Sequence, residues 1–240
     1  MKTSRKIGLD AQQIFYELNE FSQHQELRAR VLACVEAQKA ASAAILARQF
    51  QPQPHARHDV SPEALQAILA AGTMINGIRT ERHISNVVVF NDARYAEAIM
   101  DTALASRRAA LDRVVSRMLA EVFERGSRLQ VQSSGFFLYP AGGYMGWHTN
   151  AQNPGWRMYV SFAEAPGRSF FRYRDPDSGE IVTSMDGDLN VRLFRVTTDR
   201  LLWHAIYSDT NRFSFGYKVL QPRLRDTARR VVHRVTQLVR

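Results

Sequence analysis

Two histidines, an asparagine, and a downstream arginine and serine are the residues of this sequence whose types and spacing could do chemistry. In a β-strand, side chains two residues apart point to the same face, so His148 and Asn150 would lie side by side. His204 lies in an apolar run that predicts another strand, and Arg212 and Ser214 repeat the two-residue spacing on the next one. Two imidazoles, an oxygen ligand and a fixed cation behind them predict a metal pocket with an acid-binding end.

Iron(II) suits such a pocket because imidazole is a good ligand for it. Non-haem iron(II) oxygenases bind the metal through two histidines and one carboxylate and leave the remaining positions open for co-substrate and oxygen. The open positions are needed because the chemistry happens on the metal.

The segment from about residue 129 to 220 resembles the 2-oxoglutarate/iron(II)-dependent oxygenases. Their pattern is His-X-Asp, a second histidine some fifty residues later, and Arg-X-Ser about ten residues after that. Here 53 residues separate Asn150 from His204, and Arg212 follows His204 by eight. The prolyl-4-hydroxylase-like branch is the nearest likeness. Three segments show it: Tyr-X-X-Gly-Gly-Tyr from Tyr139, Arg-X-X-X-X-Phe from Arg157, and Trp203-His204-Ala205.

The resemblance implies that His148, Asn150 and His204 bind Fe(II) and that 2-oxoglutarate is the co-substrate. It also implies that Arg212 and Ser214 bind the distal carboxylate, the arginine as a bidentate pair and the serine through its hydroxyl. The activity implied is hydroxylation of a small-molecule or peptide substrate, coupled to decarboxylation of 2-oxoglutarate.

Four further residues are candidates for binding, and each has a structural alternative. Tyr139 could reach the distal carboxylate or could be a core tyrosine with a satisfied hydroxyl. Arg157 could bind co-substrate or substrate or could be a surface charge at a sheet edge. Trp147 and Trp156 could line the substrate side of the pocket or could pack in the core.

Asn150 departs from the family pattern, because an amide oxygen is neutral and a weaker donor than a carboxylate. It could still bind iron, with 2-oxoglutarate strengthening the site. It could instead not bind the metal, so that the two histidines and a water or anion hold the iron. The protein could also be an inactive relative. Three nearby carboxylates are expected at strand ends and turns rather than on the metal: Glu164, Asp186 and Asp188.

Composition predicts one large folded domain or one domain with a helical extension. The chain has 240 residues, of which 45% are hydrophobic, enough for a sizeable core. Its single cysteine, Cys34, excludes an intramolecular disulfide and favours a reducing, cytoplasmic setting. Neither an apolar run long enough for a membrane span nor the apolar core of a secretion signal is present.

The chain changes periodicity at Gly126. Before it, three- and four-residue spacing predicts one or two helices over about 8–49, with a possible break near Ser22-Gln23-His24. Further helices are predicted from Ser61-Pro62 to near Gly72 and from Asn91-Asp92 to Gly126. A short strand is expected at 87–90. Four arginines along the third helix predict a solvated basic face: Arg107, Arg108, Arg113 and Arg117.

After Gly126, short apolar or alternating runs separated by turn residues predict seven or eight strands. The runs are 129–139, 157–162, 169–174, 181–185, 191–196, 201–207 and 212–220. Such a pattern predicts an α+β fold with an antiparallel jelly roll, and the resemblance implies its cupin-like double-stranded β-helix form. We therefore expect a helical region at 1–128, the barrel at 129–221 and a basic C-terminal helix at 222–240.

Two other classes of function stay open. One is a jelly-roll binding module or inactive relative in which both histidines are structural. The other is nucleic-acid binding through the basic helices, which the net charge of +9 favours. The sequence lacks the glycine-rich nucleotide-binding motifs, the zinc-protease motif His-Glu-X-X-His and the serine-nucleophile motif Gly-X-Ser-X-Gly.

Overall fold

Two antiparallel β-sheets lie face to face in the computed structural model, which describes residues 6–71, 85–90 and 102–221. The strands are β1 Phe15–Glu17, β2 Ser85–Asn86, β3 Val88–Val89, β4 Gln130–Tyr139, β5 Gly143–His148, β6 Gly155–Ala163, β7 Ser169–Arg174, β8 Ile181–Met185, β9 Leu189–Val196, β10 His204–Ser208 and β11 Arg212–Leu220. The helices are α1 Gln25–Gln49, α2 Ala56–Asp59, α3 Pro62–Ala70 and α4 Thr102–Val122.

The strand order divides the barrel into a large and a small sheet. The large sheet has the order β1-β9-β6-β11-β4-β3, and the small sheet has the order β2-β5-β10-β7-β8. Every predicted run between 129 and 220 forms a strand, and β5 is added to them. The hairpin between β7 and β8 turns at Asp175–Gly179, as the Asp-Pro-Asp-Ser-Gly sequence predicts. The prediction of an antiparallel two-sheet fold is confirmed.

Helices α1 and α4 cover the outer face of the large sheet. Alternation along β6 and β11 sends one set of side chains to these helices and the other set into the space between the sheets. The outward set includes Met158, Val160, Phe213 and Phe215, which pack with α1 and α4 in one core cluster. The inward set of the two strands includes Arg157 and Arg212, whose charged side chains are both buried in the space between the sheets.

The end of α4 shows why a glycine occurs where the periodicity changes. A Cβ built on Gly126 would lie 1.6 Å from the carbonyl oxygen of Leu119. Only glycine allows the backbone to fold back this closely against the last turns of the helix.

The N-terminal region differs from the helical prediction in one respect. Of the one or two helices expected over 8–49, one forms and begins at Gln25, just after the predicted break, where His24 caps it by accepting from the amide of Leu27. The segment before it forms β1, which pairs with β9 and extends the large sheet. Tertiary pairing overrides helical spacing here, because Phe15 of β1 is buried against the barrel and Tyr16 is partly buried.

The other early elements largely follow the sequence. Ser61 caps α3, as predicted, and its hydroxyl accepts from the amide of Ala64. The strand expected at 87–90 forms as the shorter β3, paired with β4, and β2, paired with β5, lies just before it. The start of the helix expected at Asn91-Asp92 and the C-terminal helix at 222–240 lie outside the described residues.

The basic face predicted for α4 is only partly solvated. Arg108 is buried, donates to Asp112 and to the hydroxyl of Ser133, and lies 4.7 Å from the ring centroid of Tyr217. Arg117 pairs with Glu26. Helical spacing does not show which arginine lies over the sheet. Among the helices described above, none is long and apolar enough to cross a membrane.

Candidate metal and carboxylate site

His148 and His204 meet in the small sheet, where they are antiparallel partners. His148 is the last residue of β5 and His204 the first of β10, and their ring centroids are 4.1 Å apart. The four residues from Met145 to His148 lie opposite the three from His204 to Ile206, so the register shifts between the two pairs. The resulting bulge re-aims the end of β5, as bulges beside functional sites commonly do.

Backbone carbonyl groups orient both imidazoles. Nδ1 of His148 lies 2.8 Å from the carbonyl oxygen of Gly146, and Nδ1 of His204 lies 3.0 Å from that of Leu202. A carbonyl oxygen can only accept, so each Nδ1 holds the hydrogen and each Nε2 is the basic nitrogen. Histidines that bind metals are usually oriented through such a contact of the other ring nitrogen.

Asn150 lies just beyond β5 and completes the predicted set. Its φ of 58° is the left-handed conformation, which asparagine adopts more readily than most residues. Its Nδ2 is 3.2 Å from Nε2 of His204. Because this Nε2 has no hydrogen, the amide is placed as the donor and the imidazole as the acceptor. The side chain therefore reaches the coordinating side of His204 through a left-handed turn and not through strand alternation.

Aromatic rings form one wall beside the histidines. The ring of Phe171 stacks on His204 with 5.3 Å between centroids, and Phe194 lies 5.4 Å from the same ring. Phe171 also contacts the guanidinium carbon of Arg192, which lies 5.7 Å from its centroid. This ring therefore joins the histidine end of the interior to a charged end on the large sheet.

Arg212 forms that charged end together with Tyr139. The two residues are antiparallel partners on β11 and β4, and the guanidinium carbon lies 5.2 Å from the tyrosine ring centroid. Arg212 is 1% exposed, and its Nη1 has no hydrogen-bond partner among the described residues. Ser214 is also buried on β11. Burial raises the pKa of Tyr139, which keeps its hydroxyl protonated beside the cation.

Asp186 is the site residue that the sequence analysis missed. It is 2% exposed and accepts from Nε of Arg212 at 2.8 Å, Nη1 of Arg192 at 2.6 Å and the hydroxyl of Ser169 at 2.5 Å. Asp186 lies just after β8, as expected of a strand-end residue, but its burial between two arginines was not predicted. Its Asp-Gly-Asp context predicts a turn, and only the pairing of β9 with β6 and of β11 with β6 brings the two arginines to it.

We expect the ion pairs of Asp186 to make folding stability sensitive to acid. Burial raises the pKa of this carboxyl, but Arg212 and Arg192 lower it further, to about 2. A lowered pKa stabilises the fold above the unfolded-state value, and this stabilisation is lost as pH falls from about 4 to about 2. Urea unfolding at several pH values should show a steeper loss over this window for the wild type than for Asp186→Asn. Equal slopes would contradict the assignment.

The remaining candidates occupy other positions. Arg157 is buried on central β6, where it donates to the carbonyl oxygens of Trp156 and Asn153, so the alternative of a sheet-edge surface charge is wrong. The indole of Trp147 donates to the carbonyl oxygen of Ser61, and that of Trp156 to Leu9. Both indoles pack on the outer faces of the sheets, as core packing predicts.

The donor set suits a divalent metal with imidazole preference. The two imidazole rings lie 4.1 Å apart between centroids, the amide of Asn150 contacts Nε2 of His204, and the described residues contain no group of three His, Cys, Asp or Glu side chains that could hold a metal instead. Nη1 of buried Arg212, which has no partner within the described ranges, suits a carboxylate, because a guanidinium donates to carboxylates in a fixed geometry. The residues present therefore fit iron(II) together with an acidic co-substrate.

Comparisons with known proteins find structural likeness only. Neither the protein-family models nor the curated proteins give a match. Similar solved structures include a Pseudomonas putida prolyl-4-hydroxylase, with 12% identity, TM-score 0.43, and coverage of 88% of this chain and 95% of that one. A Burkholderia pseudomallei 2OG-Fe(II) oxygenase has 13% identity and a TM-score of 0.36, with coverage of 76% of this chain and 90% of that one. The Arabidopsis thaliana dioxygenase for auxin oxidation 1, bound to 2-oxoglutarate, has 10% identity and a TM-score of 0.39, with coverage of 87% of this chain and 84% of that one. These structural neighbours are 2-oxoglutarate/iron(II) oxygenases, at low sequence identity.

Proposed function

We propose that this protein is a non-haem iron(II), 2-oxoglutarate-dependent oxygenase that hydroxylates a small-molecule or peptide substrate. One observation supports it above the others. Two buried histidines with their Nδ1 atoms held by backbone carbonyls share an interior with a buried arginine whose Nη1 has no partner in the described chain. A metal suits the two imidazoles, and an acid would pair with this Nη1.

Each residue has a defined part in this proposal. His148, His204 and Asn150 would bind the metal, and Arg212 with Ser214 and Tyr139 would bind the distal carboxylate. When bound, iron(II) and 2-oxoglutarate supply oxygen activation, giving succinate, carbon dioxide and a hydroxylated product. The chain itself orients the acid through Arg212 and excludes water with the aromatic wall.

We also propose that the two sheets form a double-stranded β-helix. From β4 to β11 the chain moves between the sheets, with β4, β6, β9 and β11 in the large one and β5, β7, β8 and β10 in the small one. Within each group of four the neighbours in space are mostly not neighbours in sequence. Strands wound as two antiparallel ribbons around one core give this order.

Succinate formation is the measurement that tests the proposed reaction. We expect iron(II), ascorbate and 2-oxoglutarate to give succinate above the rate without protein, and one class of a panel of amino acids, peptides and nucleotides to increase it. His204→Ala should abolish the increase. If no panel member increases turnover and His204→Ala matches the wild type in the basal reaction, the proposed reaction fails.

The position of Asn150 also favours a second candidate, a non-catalytic relative. In the structure the amide of Asn150 donates to the nitrogen of His204 that would otherwise bind metal. A protein that has lost its carboxylate ligand could keep this contact as a purely structural bond. Iron(II) that binds no more tightly to the wild type than to His148→Ala would favour this candidate.

A further inference from the structure

The acid-binding end of the interior contains an uneven set of charges. Arg192 and Arg212 supply two cations, and Asp186 supplies one anion between them. All three side chains are at most 4% exposed. Among the residues that the structure describes, one positive charge is therefore left over in a region that water does not screen. Glu17 is the next carboxylate, at 4.0 Å from Nε of Arg192, but its side chain is 41% exposed.

Hydrogen bonds fix the geometry of this charge set. Ser184 accepts from Nε and Nη2 of Arg192, at 2.9 and 2.5 Å through its hydroxyl. Ser169 and Arg192 together hold the carboxylate of Asp186, which in turn occupies Nε of Arg212. The Nε side of Arg212 is thus closed to a ligand, and Nη1 is the donor that has no partner in the described part of the chain.

We propose that Asp186 is a specificity-determining residue that restricts the acid-binding end to a ligand group with a single negative charge. The inference rests on the proposed function and deepens it by defining the class of acid accepted. A carboxylate neutralises the remaining positive charge. A phosphonate or phosphate dianion of similar length brings a second negative charge. The carboxylate of Asp186, which pairs with the same guanidinium, repels this second charge.

The test compares two acids that differ in the terminal group alone. Calorimetric titration of the Mn(II)-loaded protein at pH 8 would give dissociation constants for 2-oxoglutarate and for 2-oxo-4-phosphonobutanoate. We expect the wild type to prefer the carboxylate by about tenfold or more. In Asp186→Asn, which keeps the size and an acceptor but removes the charge, this preference should fall by about fivefold or more. A ratio of dissociation constants cancels any general loosening of the site.

A second variant changes the charge in the opposite direction. Arg192→Gln removes one cation and keeps a donor toward Asp186, so the preference for the carboxylate should rise. If Asp186→Asn does not fold, the ratio of dissociation constants in Arg192→Gln tests the inference by itself. Glu17→Gln is the matched control, because it removes a carboxylate from a screened position and should leave the ratio within about twofold.

The outcomes separate the inference from the proposed function. Unchanged ratios in both Asp186→Asn and Arg192→Gln, with 2-oxoglutarate still bound by the wild type, overturn the role of Asp186 alone. Shifts of the same sign in the two variants also overturn it. A wild type that binds neither acid overturns both the proposed function and the inference.

Discussion

Replacing Arg212 with alanine is expected to lower the affinity for 2-oxoglutarate by about 2–5 kcal/mol. The distal carboxylate would then be buried in the interior without its cation, and an unpaired buried charge is costly. Calorimetric titration of the metal-loaded protein would measure the effect. The loss of affinity should exceed that caused by any other single substitution at the acid-binding end, because Nη1 of Arg212 is the donor that no other described residue occupies.

Two controls make this result interpretable. Arg113→Ala removes an exposed arginine from α4 and should leave the affinity unchanged. Arg212→Ala also leaves Asp186 with one of its two cations, so its thermal unfolding must be followed beside the titration. An Arg212→Ala protein that is folded and binds 2-oxoglutarate as tightly as the wild type would show that the carboxylate lies elsewhere.

Changing Asn150 to aspartate is expected to raise the affinity for iron(II) in the absence of 2-oxoglutarate by about tenfold or more. The wild-type ligand set has no negative charge, whereas aspartate supplies one beside the metal. The contact from the amide to Nε2 of His204 is also lost, since an ionised carboxylate cannot donate. The side chains are similar in size, and aspartate also tolerates a left-handed backbone, so folding should change little.

The same substitution should weaken the coupling between metal and co-substrate. In the wild type a dianionic acid balances the dication, so each ligand tightens the other by the same factor. With a charge already supplied by aspartate, that factor should decrease. Titrating iron(II) with and without 2-oxoglutarate in both proteins closes the thermodynamic cycle.

Asn153→Asp is the matched control for this prediction. It adds the same charge three residues later, on an exposed position of the turn whose amide donates to the carbonyl oxygen of Asn150. It should raise iron affinity far less. If Asn150→Asp leaves the iron affinity unchanged, Asn150 is not a ligand, and a two-histidine site or an inactive relative explains the structure better.

The sequence predicted the barrel strands because periodicity is a local property. Each run from 129 to 220 alternates or is apolar over the length of one strand, and turn residues mark its ends. The spacing of His148, His204 and Arg212 could also be read from the sequence, and in the structure each of them lies at the end of a strand. Their convergence in one interior follows from how the strands pair.

The features that were not predicted, namely the burial of two charged residues and the strand β1, depend on pairing and packing between distant parts of the chain. Asp186 has the local sequence of a turn, yet it is buried because β9 and β11 flank β6 and bring Arg192 and Arg212 to it. Similarly, Arg108 lies in a helix with basic spacing, and only packing on the large sheet buries it. For β1, pairing with β9 outweighed the helical spacing around it.

Visible absorbance under anaerobic conditions tests the central claim most directly. Adding iron(II) and then 2-oxoglutarate to the wild-type protein should produce a charge-transfer band that neither addition gives alone. His148→Ala and Arg212→Ala should each reduce it at the same ligand concentrations, since one loses the metal and the other the acid. A band that forms equally in both variants, or no band in the wild type at saturating ligand, would contradict a shared iron and 2-oxoglutarate site.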